Sequence, residues 1–283
     1  MTLPKLLNTV TELNDWCTES EAPIAAVFTM GALHAGHAEL VTYAKFHTPS
    51  GTRVVATIFV NPTQFNSSID LAQYPSALED DLEILAGVGV DAVFVPSVSE
   101  MYPNGLLIDS PIEPGLAGEI LEGKSRPGHF SGMLTVVRRL LEITHADYSF
   151  FGEKDFQQLT LVKEMVKQLT LPIEIIGVPT VRNEFGLALS SRNSRLSPLA
   201  LQKALDIPHA MKLVADAFSN GAEKAEALAL GRKYLSDNDF IDLDYLEICA
   251  ENLLDQPNTT NARVFIAVTI AGVRLIDNLK IAK

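Results

Sequence analysis

The sequence predicts an α/β protein, a doubly wound parallel sheet followed by a smaller α+β region. Three observations predict it. Through the first 180 residues, short apolar runs rich in β-branched residues alternate with longer helical patterns. Those runs are nearly continuous in apolar character, as strands covered on both faces must be. Beyond Pro179 the alternation stops, and strand-like runs follow one another without long helices between them, which implies antiparallel pairing.

The elements are expected in this order. Ile24–Thr29 (IAAVFT) reads as a strand and Ala35–His47 as a helix. Residues 52–60 (TRVVATIFV) form the next strand. Residues 76–88 are helical, with Gly87 or Gly89 ending the helix, and 91–96 (DAVFVP) are a strand. Residues 97–128, with Pro103, Pro111, Pro114 and Pro127, read as loop. A helix over 130–143, a strand over 147–152, a helix over 155–169 and a strand over 173–179 complete the alternation. A polar loop over 181–197 leads to a long helix over 198–220, a second over 222–235, and strands over 241–250, 262–270 and 273–279. The boundary falls at 179–181, dividing the chain into 1–179 and 180–283.

Composition narrows the function. The chain has 283 residues, with 22 Lys+Arg against 35 Asp+Glu, a formal net charge of −13. That balance disfavours a nucleic-acid partner, which calls for a basic face, but allows a cationic pocket inside an acidic shell. Apolar residues at 47% and charged residues at 20% are ordinary for a folded chain. Cys17 and Cys249 form no CxxC and indicate neither a disulfide framework nor a zinc site. With no leader-like start and no run of 18 apolar residues, a soluble, cytoplasmic protein without membrane association is expected.

Chemistry concentrates where strands are expected to end. The first is followed by Thr29-Met30-Gly31-Ala32-Leu33-His34-Ala35-Gly36-His37. Gly31 permits a tight strand-to-helix turn and Gly36 a close backbone approach. His34 and His37, three residues apart at a helix start, share a face. Free N–H groups there make an anion site, and imidazoles can donate to phosphate oxygens as charge develops. At the carboxyl edge of a parallel sheet, a nucleotide is the expected occupant. Asn61-Pro62-Thr63-Gln64 follows the second strand, and Gln64 offers a donor and an acceptor to a ligand bearing hydroxyls and a carboxylate. In Gly152-Glu153-Lys154-Asp155, Gly152 lets the backbone approach a base or ribose. Lys154 supplies a mobile cation, and Asp155 suits ribose hydroxyls or a helix cap. Gln158 lies one turn beyond Lys154, and Gln157 is expected to be structural. Ser190-Ser191-Arg192-Asn193, after Leu189, joins two hydroxyls to a guanidinium, a fit for a diphosphate leaving group. Asp81, with Asp80 beside it, is the expected magnesium ligand; Arg126 and His129 are expected to support the site.

Two motif-like stretches are set aside. Residues 118–125 spell a Walker A loop, but no buried strand precedes them and Arg126-Pro127-Gly128 interrupts the helix that should follow. GVGVDA (87–92) precedes its strand instead of following it.

The histidine segment resembles the HxGH signature of the nucleotidyltransferase superfamily. FVNPTQF, RPGHFSGMLTVV, FGEKDFQQ and LSSRN, in that order, resemble the motifs of the pantothenate synthetase family. The resemblance spans the whole chain. It implies a Rossmann-like first domain with a C-terminal lid. It also implies condensation of pantoate with β-alanine through a pantoyl adenylate, with ATP and Mg2+, in a cytoplasmic homodimer. By resemblance Thr29, Met30, Gln64 and Gln158 meet the acid substrate. Met30, Gly31, His34, His37, Gly152, Glu153, Lys154, Asp155, Val181, Leu189, Ser190, Ser191 and Arg192 meet the nucleotide, and His34, His37, Lys154 and Arg192 promote the reaction. The alternative is another HxGH nucleotidyltransferase acting on a small anionic substrate. The sequence departs from the family pattern at Phe28, Ser76, Asn183, Phe185 and Leu189. Phe185 is expected to pack against one domain, and 182–197 to be mobile in the free protein.

Overall fold

The computed structural model describes residues 3–64 and 77–281, so Ser76 and the start of the helix expected over 76–88 lie outside the described residues. A six-stranded, wholly parallel sheet has the order β1-β4-β3-β2-β5-β6. Its strands are β1 (Lys5–Leu7), β2 (Ile24–Thr29), β3 (Arg53–Ile58), β4 (Ala92–Phe94), β5 (Tyr148–Gly152) and β6 (Glu174–Val178).

Alternate strand residues feed two separate apolar layers. Ala26, Val55 and Phe94 join one cluster with Leu13, Trp16, Leu134 and Val162. Ala25, Val27, Val54 and Ala56 join the other, with Leu40, Val41, Ala44 and Leu85. The first comes from helices Val10–Thr18, His129–Thr144 and Phe156–Gln168, the second from Ala35–His47 and Leu78–Gly87. This double covering is why the strands read as unbroken apolar runs. Strand starts are pinned by carboxylates: the backbone N–H of Ile24 donates to Asp147 (2.8 Å) and that of Val54 to Asp91 (2.7 Å).

A third core, drawn from residues 187–281, packs helices against an antiparallel sheet β7-β8-β9. Its strands are β7 (Ile241–Ala250), β8 (Ala262–Ile270) and β9 (Val273–Lys280), as the sequence predicts. Among the described residues no helix is long and apolar enough to cross a membrane.

Three local expectations change. The helix expected over 198–220 is two helices, Pro198–Lys203 and Asp206–Ser219. Pro208 has no N–H to offer the Ala204 carbonyl, which accepts from Ile207 instead (3.1 Å). The loop expected over 97–128 contains the short helices Val98–Met101 and Glu122–Ser125. Within 118–125, a Cβ on Gly123 would lie 1.7 Å from the Gly118 carbonyl, so that stretch is a folded-back turn and no phosphate loop. Finally, β1 and helix Val10–Thr18 were not anticipated, although Thr9 and Glu12 form a capping box at the helix start.

Candidate active site

Strand order reverses at β2, and the carboxyl ends of β2, β3, β5 and β6 open into one cavity of about 280 Å³. This is the place where open parallel sheets bind ligands.

At the end of β2, the Thr29 hydroxyl donates to the Thr57 carbonyl (2.6 Å). The chain then turns through positive φ at Gly31 (82°) and Ala32 (52°). The Asp81 carboxylate holds this turn, accepting from the backbone N–H of Ala32 (3.0 Å) and Leu33 (2.7 Å). Asp81 is 2% exposed and does not line the cavity. The geometry gives a clamp on the turn to the carboxylate that the sequence reading expects to bind magnesium.

His34 is the N-cap of helix Ala35–His47. Its Nδ1 accepts from the N–H of Gly36 (3.0 Å), and the Nδ1 of His37 accepts from the N–H of His34 (3.3 Å). A nitrogen that accepts carries no proton, so each neutral ring carries its proton on Nε2. The rings lie 4.2 Å apart, tilted by 46°, and both line the cavity. Burial lowers the pKa of both, with the neighbouring Lys154 adding to the effect; His37 is pushed down to about 3. The pair is therefore two neutral N–H donors. The role of Gly36 also becomes specific: a Cβ there would lie 2.8 Å from Cε1 of His34, so the missing side chain makes room for the imidazole.

Beyond β3, buried Asn61 donates to Oε1 of Gln64 (3.1 Å) and to the Gly132 carbonyl (3.3 Å), while Tyr102 donates to Asn61 (2.7 Å). Nε2 of Gln64 donates to Sδ of Met30 (2.7 Å). The Gln64 carbonyl accepts from Arg126 (3.1 Å) and from Nδ1 of His129 (3.0 Å). Nε2 of His129 then accepts from Arg126 (3.2 Å), and burial pushes that ring down to about 4.

At the end of β5, Gly152, Lys154, Asp155 and Gln158 line the cavity. Lys154 pairs with Asp155 at 3.6 Å, and Asp155 makes no side-chain cap on the following helix. Gln157 is structural, as expected: its amide bonds the backbone of Ala117, Ile120 and Glu122. Glu153, expected at the nucleotide, turns away from the cavity. Its carboxylate accepts from Arg263 (3.3 Å), drawn toward β8 by that buried guanidinium.

After β6, Val181 lines the cavity while its carbonyl accepts from Leu189 (3.0 Å). Asn183 closes the intervening turn by accepting from Phe185 (3.0 Å) and Leu187 (2.9 Å). Arg182 anchors the turn to β9 through Asp277 (2.6 Å). Phe185 packs against neither region; it is 63% exposed. Ser190 accepts from the N–H of Arg192 (3.3 Å), and Arg192 donates to the Arg274 carbonyl (3.2 Å).

Of the residues expected at the site, Thr29, Met30, His34, His37, Gln64, Gly152, Lys154, Asp155, Gln158, Val181, Leu189, Ser190, Ser191 and Arg192 line this one cavity. Gly31, Asp81 and Glu153 are not among its lining residues. The cavity also carries Glu122 and Arg274, which the sequence reading missed. A lone Glu and a lone Arg, 152 residues apart, carry no local signal. The lining is cationic inside a chain of charge −13.

The chain matches the family model described as pantoate-beta-alanine ligase over residues 5–280. It is 48% identical over 257 residues to a pantothenate synthetase of Corynebacterium jeikeium, covering 91% of this chain and 82% of the relative. With a pantothenate synthetase of Roseobacter denitrificans it shares 45% identity, over 99% of each chain. A crystal structure of pantothenate synthetase from Thermus thermophilus superposes with a TM-score of 0.91 at 41% identity, covering 99% of this chain and 100% of that one. A pantoate-beta-alanine ligase from Francisella tularensis, complexed with beta-gamma ATP and beta-alanine, gives 0.82 at 38% identity, covering 98% and 97%. With the motifs gathered into one cavity and similarity running from end to end, the chain belongs to the pantoate–β-alanine ligase family.

Proposed function

We infer that this cavity joins pantoate to β-alanine using ATP. A carboxylate oxygen of pantoate attacks the α-phosphorus, the bond to the β-phosphate bridging oxygen breaks, and diphosphate leaves with the electron pair. The uncharged β-alanine amine then attacks the acyl carbon, the acyl C–O bond breaks with its electron pair leaving on AMP, and the nitrogen loses a proton to give the amide. The carboxylate is already ionised, so no side chain need act as nucleophile, and the protein contributes positioning and charge stabilisation.

The observation that carries this reading is the pair of Nε2–H donors of His34 and His37, set in one cavity with Lys154, Arg192, Gln64 and Gln158. His34, His37, Lys154, Ser190, Ser191 and Arg192 hold the triphosphate. Gln64 and Gln158 hold pantoate, beside Thr29 and Met30. Gly152, Asp155 and Val181 hold the nucleoside. Residues 1–179 form the nucleotide- and pantoate-binding domain and 180–283 a lid that carries Ser190, Ser191 and Arg192 to the triphosphate; the separate apolar core of 187–281 supports that division. A homodimer in the cytoplasm follows from the family resemblance. So does magnesium, but the described residues build no cage for it. They contain no group of three His, Cys, Asp or Glu side chains suited to a metal, and the oxygens of Asp81 already serve two amides. No step here is routed through the ion.

Pantoate labelled with ¹⁸O in its carboxylate tests the route. One label should appear in AMP, in a reaction that needs pantoate and forms no ADP. Label in inorganic phosphate, or ADP as product, would replace the adenylate with an acyl phosphate.

A further inference from the structure

Glu122, within the stretch set aside as a false Walker A loop, and Arg274, in no motif, both line the cavity and meet there. Arg274 is the second residue of β9, and its guanidinium grips Glu122 with two bonds, Nη1 to Oε2 and Nη2 to Oε1, both 2.7 Å. The Tyr245 hydroxyl on β7 donates to the same Oε1 (2.8 Å), and Asp244 takes a further bond from Arg274 (2.6 Å). Glu122 is 7% exposed, so its charge depends on these partners.

The pair joins two sides of the cavity. On one side, Arg126 lies 3.9 Å from Glu122 and donates to the carbonyl of Gln64. On the other, the backbone carbonyl of Arg274 accepts from Arg192. The Arg274 backbone is paired with Thr269 in the β8–β9 ladder, and its side chain on Glu122 ties this end of β9, with the carbonyl that Arg192 uses, to helix Glu122–Ser125. A line of polar contacts runs from Gln64 through Arg126, Glu122 and Arg274 to Arg192. Planar, bidentate pairing suits this purpose, because a fork fixes direction as well as distance.

Resting on the function inferred above, we propose that Glu122 and Arg274 are positioning residues that couple the grip on diphosphate to the sealing of the cavity. With the pair intact, Arg192 is aimed at the leaving group and the wall between β9 and helix Glu122–Ser125 stays closed to water. With the pair broken, this end of β9, which carries the acceptor of Arg192, is no longer tied to helix Glu122–Ser125, and the wall opens. Water then competes with the β-alanine amine for the acyl carbon. Its attack forms a C–O bond, releases a proton and AMP, and returns pantoate, so that ATP is converted to AMP and diphosphate without amide product.

The test compares the wild type with Arg274→Lys and with Glu122→Gln/Arg274→Gln in the full chain. Arg274→Lys keeps Glu122 paired but loses the fork. The double variant removes the buried carboxylate together with its partly exposed cationic partner, which protects folding. Diphosphate and pantothenate are counted in the same reaction with ATP, pantoate and β-alanine. The wild type should give one diphosphate per pantothenate. Both variants should form diphosphate about tenfold more slowly and release clearly more than one diphosphate per pantothenate, with thermal midpoints close to the wild type for Arg274→Lys. A ratio of one in both variants, whatever their rate or melting temperature, overturns the coupling and leaves the pair a structural contact. Failure of the wild type itself to form diphosphate in a pantoate-dependent way would instead count against the underlying function.

Discussion

Replacing Asp81 by Asn separates its observed position from the one its sequence context indicates. Both oxygens of the buried carboxylate accept backbone amides, at Ala32 and Leu33. Asparagine keeps one acceptor and turns an NH2 toward the other amide. One bond to a charged acceptor becomes a weaker neutral one, and the second becomes a donor facing a donor. With bonds to charged groups contributing roughly 1.5–3 kcal/mol each, the expected loss is about 2–4 kcal/mol. In a chain of this size that lowers the thermal midpoint by about 4–8 °C. The turn itself is strained, with Ala32 at φ 52°, and Gly31 stands against Oδ2 of Asp81. Loosening it should swing His34 and His37 from their places, so diphosphate formation falls along with stability. Calorimetry and a magnesium titration of activity decide the matter. A turn clamp predicts a lower midpoint with an unchanged magnesium requirement. An unchanged midpoint with a raised magnesium requirement would refute this account and restore Asp81 as a metal ligand.

Other outcomes follow from the same geometry. His37→Ala should slow diphosphate formation by about 10²–10³, the size of one lost transition-state donor, with pantoate KM changing far less; near-native turnover would remove His37 from the reaction. Gln158→Ala should raise pantoate KM about tenfold, a lost polar contact in a closed site, whereas a raised KM for ATP alone would move Gln158 to the nucleotide. Gly132→Ala places a Cβ 2.3 Å from the Thr63 carbonyl, so helix His129–Thr144 must back away from Gln64; a loss of at least about 2 kcal/mol in urea unfolding is expected, and wild-type stability would show that this contact gives way freely. Acid should destabilise the protein in a defined window. His37 is pushed down to about 3 and His129 to about 4, against 6.5 for a free imidazole. The unfolded chain then binds protons that the folded one refuses, so stability is full above about pH 6.5 and falls as pH drops toward 4. Urea unfolding at pH 7, 6, 5 and 4 should show the fall, and His129→Gln should make it shallower.

The parallel sheet was legible because burial on both faces writes itself into each strand: Val54, Val55 and Ala56 serve opposite layers and so must all be apolar. Most of the polar residues that line the cavity were legible for a related reason. Strand ends gather them, so short local motifs carry them. What the sequence hid is what a distant partner decides. Asp81 looks like any helical carboxylate until the turn at Ala32 and Leu33 packs on it. Glu153 sits inside a nucleotide motif, yet Arg263 on β8 draws it away. Phe185 suggested a packing contact, but Asn183 closes the turn by itself and leaves the ring in solvent. The break at Ala204 was readable from Pro208, but the unbroken helical pattern around it concealed the proline's effect.

In the proposed reaction, the state of the two histidines determines what kind of grip the cavity has on a triphosphate. A chain of charge −13 needs local cations to draw in an anion, and Lys154, Arg126, Arg192 and Arg274 line the cavity. Yet Arg274 is bound to Glu122, and Lys154 lies beside Asp155. Much of the positive charge is thus already balanced, which limits how firmly substrate phosphates are held before reaction. Full charges on His34 and His37 would strengthen that ground-state hold and slow the loss of diphosphate. Kept neutral by burial, with each Nδ1 filled by a backbone N–H, they are donors of fixed direction at a helix start. Donors of this kind gain most as negative charge accumulates on the departing oxygen, and so favour the transition state over bound ATP. In the proposed reaction the backbone N–H groups of His34 and Gly36 thus serve the chemistry indirectly, because they select the tautomers that donate from Nε2.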